Sequence, residues 1–185
     1  QKHKGFEANL RYSIINNPDG VFTNITPFIN FTYSDFKYGD NFTIVTGATV
    51  AQRDTIDYSG KRVYGVPKVM NALGVDVATK LGFYANLVHI YKDGVTIGTV
   101  KTSASGVNPK VFTTYNTTSY SLLNGKLGFR KNLSNHFGLD AFFGVDNITK
   151  TKYPLMIFVN QLPDAYIPAP TKAVVYGGVN LKYNF

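Results

Sequence analysis

The chain has 185 residues, no Cys, 14 Phe, 13 Tyr and only 16% charged residues, a strand-favouring composition with a single Glu. Lack of Cys excludes disulfides, thiolate metal sites and Cys nucleophiles, and no apolar run reaches the 18 or so residues of a transmembrane helix. The formal charge of +8 is carried by scattered Lys and Arg, with no cluster beyond Lys61-Arg62 and Arg130-Lys131, so nucleic acid is not an expected partner.

Alternation with a period of two, the spacing that puts every second side chain on one face of a strand, organises the chain from its start. In 5–15, Phe6, Ala8, Leu10, Tyr12 and Ile14 oppose Glu7, Asn9, Arg11 and Ser13. In 24–38, Ile25, Ile29, Phe31 and Tyr33 oppose Asn24, Thr26, Asn30, Thr32 and Ser34. Pro27 removes one ladder donor there, and Phe28 falls on the polar side. The strands expected at 68–78 and 81–92 carry Val69, Leu73, Val75, Val77 and then Leu81, Phe83, Ala85, Leu87, Tyr91 on their apolar faces. Those at 119–131, 135–148 and 171–185 follow the same rule, with Phe142 a second aromatic on a polar side. Glu7, Arg11, Asp76, Lys126, Arg130, Asp140, Asp146 and Lys182 share the polar faces, where ion-pair ladders are the default role.

The connections alternate in length. Asn16–Gly20, Thr79–Lys80 and Asn132–Ser134 are short, whereas about 39–67, 93–118 and 149–170 are long. Short turns at one end and long loops at the other is the organisation of a transmembrane β-barrel, and strands of this length suit a tilted crossing. Aromatic residues near strand ends (Tyr33, Phe36, Tyr38, Tyr91, Tyr183, Phe185) read as interfacial girdles. A soluble β-sandwich binding module, which also has one buried face, is the rival from alternation alone. A small complete barrel acting as a pore or adhesion protein is the other, with residues 41–51 as an eighth strand.

No catalytic constellation stands out. His3, His89 and His136 have no metal-ligand spacing, Asp54 and Asp57 read as loop solvation, and no Gly-rich phosphate loop is present. Neither enzyme activity nor a cofactor is expected. The six Asn-x-Ser/Thr matches fall partly inside strands and do not imply glycosylation.

KGFEANLRYSI, NFTYSDFKY, YSGKRVYGVPK with NALGVDV, YSLLNGKLGFR, FFGVDNITKTKY and YIPAPTKAVVYGGVNLKYNF resemble, in order, the C-terminal strands of TonB-dependent outer-membrane receptors. The resemblance implies an all-β antiparallel fold in which residues 1–185 supply about seven C-terminal strands of a barrel of roughly 22. It implies that the plug, which engages TonB, and the earlier strands belong to a longer protein. The Val-Asp-Asn and Pro-Ala-Pro motifs resemble the siderophore, haem and vitamin branch more than the glycan branch. The resemblance further implies uptake of a scarce small molecule such as an iron chelate. It makes outer-membrane lipid and lipopolysaccharide neighbours of the wall. Val179, Leu181, Tyr183 and Phe185 resemble the terminal signal read by the barrel-assembly machinery, through strand addition to an open edge. On the long loops, Arg53, Lys61, Arg62, Lys101 and Lys110 are the candidates for facing an anionic ligand.

Overall fold

The computed structural model describes residues 1–46, 50, 53–102, 111–159 and 166–183. The wall consists of seven antiparallel strands in one sheet. They are β1 (Lys2–Arg11), β3 (Phe22–Lys37), β6 (Val69–Thr79), β7 (Phe83–Lys92), β10 (Tyr120–Asn132), β11 (Phe137–Asp146) and β14 (Val174–Tyr183), each hydrogen-bonded to the next in that order. A short β2 (Ile15–Asn16) pairs beside β3 at the turn end. Each strand matches one of the alternating segments to within a few residues, because the period-two pattern fixes both element type and face.

Register carries the alternation across strands. On one face Leu10 opposes Ile29, Ile29 opposes Leu73, Val75 opposes Leu87, and Ala85 opposes Leu127. Leu127 then opposes Phe143, and Ala141 opposes Val179. One apolar surface, hereafter the outer face, thus runs unbroken over all seven strands. Nothing among the described residues covers it: Leu127 is 62% exposed and Leu181 77%. A sandwich would bury these side chains against a second sheet, so the single-layer arrangement overturns that rival. β1 and β14 lie at opposite edges, so this sheet does not close on itself as a small complete barrel would.

The long connections hold three two-stranded hairpins of their own among the described residues. These are β4–β5 (Thr43–Thr46 with Asp54–Asp57), β8–β9 (Thr96–Lys101 with Phe112–Asn116) and β12–β13 (Pro154–Ile157 with Tyr166–Pro168). The first corrects the expectation of an eighth wall strand over 41–51. Ile44 pairs with Ile56, not with the wall, because the chain doubles back on itself between the two. The buried apolar residues lie at this end of the molecule: Ile56, Tyr58 and Tyr64 in one cluster, Val95 and Ile97 in another. The packed core is therefore a layer of loops standing on the rim of an otherwise bare wall.

Aromatic girdles are present on the outer face, with one reassignment. Phe83 packs against Phe129, and Phe137 against Tyr183, with tilted rings whose centroids are 5.0 Å apart in each pair at the turn end. Tyr33 and Tyr91 occupy the loop end of the same face. Phe36, expected in the girdle, instead faces the other side and stacks on His3 at 4.4 Å, because it is out of phase with Tyr33. Tyr38 joins the loop core.

Candidate functional site

The second face of the wall, hereafter the inner face, gathers all eight predicted inward charges, since Glu7 opposes Thr32, Asp76 opposes Asn86, Asp146 opposes Val174 and Lys182 opposes Gly138. Four aromatic rings lie flat along it, each over a glycine of a neighbouring strand: Phe28 on Gly74, Tyr84 on Gly128, Phe142 on Gly178 and Tyr176 on Gly144. A Cβ at Gly178 would stand 2.8 Å from the Phe142 ring, and one at Gly74, Gly128 or Gly144 would overlap its ring outright. The two aromatics that broke the alternation are thus accommodated by missing side chains across the strand boundary.

Cations complete the inner face. The Arg11 guanidinium lies 5.1 Å from the Phe28 ring and pairs with Asp76, whose other oxygen accepts from Asn86 at 2.7 Å. Lys126 Nζ sits 4.2 Å from the Phe142 ring. Arg130 reaches Asp140 through Nε at 2.8 Å and Nη2 at 2.7 Å, while Tyr84 Oη donates to the other Asp140 oxygen at 2.8 Å. Charges held this way suit a wetted lumen: they are satisfied laterally, so the wall keeps its shape without a second layer.

At the loop end, Tyr38, Phe42, Tyr58 and Tyr64 form an aromatic cluster, with Tyr38 stacked on Phe42 at 4.8 Å and Tyr58 edge-on to Tyr64 at 5.4 Å. Tyr64 Oη bonds Thr99 Oγ1 at 2.5 Å, and Gly65 N donates to Thr96 O at 2.8 Å, which ties the first long loop to the β8–β9 hairpin. Burial pushes the Tyr64 phenol above its ordinary range. Ile157 packs on Val95 and Ile97, linking the third long loop to the second. Between these bases lies a cavity of about 390 Å³ lined by Ile97, Asn116, Thr118, Lys152, Tyr153 and Pro168, among others. Asp57 is held below the usual carboxylate range by the Ser59 hydroxyl and amide, and Asp40 by Lys2.

The Val-Asp-Asn motif has a structural role. Asn147 is 4% exposed with a positive φ of 52°. Its side chain donates to Thr151 O and accepts from Thr151 N, both at 2.9 Å, while its own amide donates to Asn124 Oδ1 at 2.9 Å. It turns the chain out of β11 into the loop layer; Asn tolerates this left-handed conformation where bulkier residues do not.

The five predicted ligand-facing cations do not form one cluster. Arg53 is exposed at the tip of the β4–β5 hairpin. Lys61 is near the base, its Nζ 5.5 Å from the Tyr58 ring, and exposed Arg62 bridges to Lys37 of β3. Lys101 ends β8, and Lys110 lies outside the described residues. Val179, Leu181 and Tyr183 are exposed on the outer face of edge strand β14, opposite Ala141, Leu139 and Phe137, while Phe185 lies outside the described residues. His89 faces Leu73 and Leu123 on the outer face, and among the described residues no group of His, Cys, Asp or Glu is placed to hold a metal ion. Sequence reasoning missed the ring-over-glycine pairs, which depend on register between strands, and the three loop hairpins. Short alternations such as Thr43–Thr46 and Asp54–Asp57 were the available signal for the first hairpin.

Residues 1–148 match the family described as TonB dependent receptor-like, beta-barrel. No curated protein matches the chain. The matched span covers six of the seven wall strands and ends just past Asn147; β14 and the Pro-Ala-Pro lead-in lie beyond it. The family is one of outer-membrane transporters, not of enzymes. With the unclosed single-layer wall, the bare apolar outer face, the charged inner face and the loops gathered at one end, the match covers well over half of the sequence, and the chain belongs to the TonB-dependent receptor-like β-barrel family.

Proposed function

We propose that this chain is the C-terminal sector of a receptor that imports a scarce ligand such as a ferric siderophore, haem or a vitamin, driven through TonB by a plug elsewhere in the longer protein. The observation that carries the reading is the division of one sheet into an uncovered apolar face and a laterally satisfied charged face. Such a sheet is a wall between lipid and a wet lumen. Its two edges, β1 and β14, present unpaired backbone groups that hydrocarbon does not tolerate, which fits a sector continued by further strands. In this reading the loop layer is the extracellular surface, and Arg53 and Lys61, with Lys101 and Lys110, meet an anionic complex there. Arg62 contributes to the same field from the rim, since steering acts over distance. Val179, Leu181, Tyr183 and Phe185 present the assembly signal to the barrel-assembly machinery by strand addition.

The test is growth of a gene-deleted host under iron limitation, supplied separately with ferric siderophores, haem and cobalamin. Loss of growth on one ligand, restored by the full-length gene but not in a TonB-deficient host, supports the reading. Unimpaired growth on every ligand, together with unimpaired uptake of each in labelled form, overturns it.

A further inference from the structure

The cavity of about 390 Å³ in the loop layer is walled by the second and third long connections together. Its floor is apolar: Ile97 is 6% exposed and Ala169 5%, and beside them Pro154 opposes Pro168 across the β12–β13 pair. Tyr153 forms a side wall, backed by the Tyr120 ring at 5.1 Å. Tyr120 is in phase along β10 with Lys126 and Arg130, so this wall stands over the lumen and not over lipid. The rim is polar and one-sided in its hydrogen bonding. Lys152, Thr118 and Thr171 are exposed there, and their side chains have no hydrogen-bond or ion-pair partner among the described residues. The Asn116 amide oxygen accepts from Thr96 Oγ1 at 2.7 Å, which leaves its N–H groups unengaged. Thr117 Oγ1 accepts from the Val95 amide at 2.9 Å, which leaves its own O–H to donate. No carboxylate among the described residues lines the cavity.

Such a lining selects its occupant by charge and by shape. A cation meets Lys152 with no carboxylate to offset it. A sugar, whose hydroxyls must donate as well as accept, finds the Asn116 oxygen already engaged and no carboxylate to receive them. An anion meets an ammonium, three hydroxyls and an amide N–H, all able to donate to it. The body of the occupant is set by the apolar surfaces, where two proline rings and a tyrosine ring come together. The volume is at the lower end of the roughly 300–1,000 Å³ span of small-molecule sites, room for one or two fused rings and less than a haem or a ferric siderophore needs. We infer that this cavity is a binding site for a planar monocarboxylate of the aryl carboxylate class, its head held by Lys152, Thr118 and Asn116 and its rings laid against Tyr153, Pro154 and Pro168. The occupant is distinct from the cargo proposed above. It bridges the second and third long loops, because its contacts come from both. Access from outside the cell rests on the outer-membrane reading, whereas the chemistry of the lining does not.

The experiment is calorimetric titration of the full-length receptor in detergent, referenced to empty micelles, with naphthoate, naphthamide and acetate as probes. Naphthoate is expected to bind about tenfold more tightly than naphthamide, its uncharged counterpart of the same shape, with acetate, a head without rings, a poor competitor. Lys152→Gln should cost naphthoate about tenfold and erase the preference for acid over amide. Lys152→Arg should keep that preference, and Lys131→Gln at the turn end should change nothing. Because Lys152 is exposed and bonds to no other described residue, its loss leaves the loop fold intact. Naphthoate should also slow hydrogen exchange at the Ala169 amide, which donates to Tyr153 O at 2.9 Å beside the cavity floor. Absence of saturable naphthoate binding, equal affinity for acid and amide, or an unaffected Lys152→Gln variant overturns the site. Binding that leaves exchange at Ala169 unchanged places the probe elsewhere and overturns it as well. The titration reads purified protein, so its failure strikes this site alone, whereas unimpaired growth and uptake on every ligand strikes the transport reading alone.

Discussion

Replacing Gly128 by Ala probes the inner face at its tightest point. In an ordinary strand position Gly→Ala is favourable by about 0.5–1 kcal/mol, because Ala loses less backbone freedom on folding. At Gly128 the added Cβ would overlap Tyr84 Cζ and Oη, so the ring must leave its rotamer or the strands must part. Forced overpacking costs about 1–3 kcal/mol. The balance is a net destabilisation of about 1–2 kcal/mol, enlarged by the loss of the Tyr84 hydroxyl from Asp140, where it donates at 2.8 Å. Gly125→Ala, in the same strand on the outer face, is the control: its nearest neighbours would be Ile148 Cδ1 at 3.2 Å and Leu87 Cδ1 at 3.6 Å, both flexible ends. Guanidinium unfolding of the full-length protein in detergent, run as a double-mutant cycle with Tyr84→Ala, reads the effect. Gly128→Ala should destabilise the parent and become neutral or mildly stabilising once Tyr84 is gone. If Gly128→Ala proves as harmless as Gly125→Ala in both backgrounds, the ring-over-glycine packing does not hold the wall.

Leu127→Arg puts a charge into the outer face and should cost about 2–4 kcal/mol near the bilayer midplane, seen as a reduced heat-modifiable band, whereas Asn180→Lys on the inner face, opposite Asp140, should assemble normally. Tyr64→Phe keeps the ring but removes the bond to Thr99; about 1 kcal/mol of loop docking should be lost, visible as faster hydrogen exchange at the Gly65 amide. For Asp57, folding lowers the carboxyl pKa, so its contribution is present above the unfolded value and lost as pH falls through the folded one. The stability gap between the parent and Asp57→Asn should therefore shrink between pH 6 and about 3, measured by denaturation midpoints; a gap that widens on acidification contradicts the assigned Ser59 bonds.

The wall was legible in the sequence because one variable, the alternation of side chains, decides strand, face and inner charge together. Glu7, Asp76 and Lys182 could be assigned inward without knowing their neighbours. What depended on neighbours was not legible. Phe28 and Phe142 read as defects because their glycines, Gly74 and Gly178, sit some 40 residues away along the chain and become partners only through register. Phe36 read as girdle because strand-end aromatics look alike in sequence, and its phase relative to Tyr33 decides otherwise. Thr43–Thr46 carries a genuine strand signal, yet its partner is Asp54–Asp57 and not the wall. The motif Asn147 was noticed by resemblance alone; its meaning, a buried turn at the exit of β11, comes from three hydrogen bonds.

The most direct test of the two-faced wall is depth quenching along β10. Single cysteines are placed at positions 122, 123, 125, 126, 127 and 129 of a Cys-free full-length protein, labelled with a small fluorophore and reconstituted with brominated lipid. Quenching should alternate, strong at 123, 125, 127 and 129 and weak at 122 and 126. Uniform quenching, or the opposite alternation, would contradict the assignment of these faces to lipid and lumen.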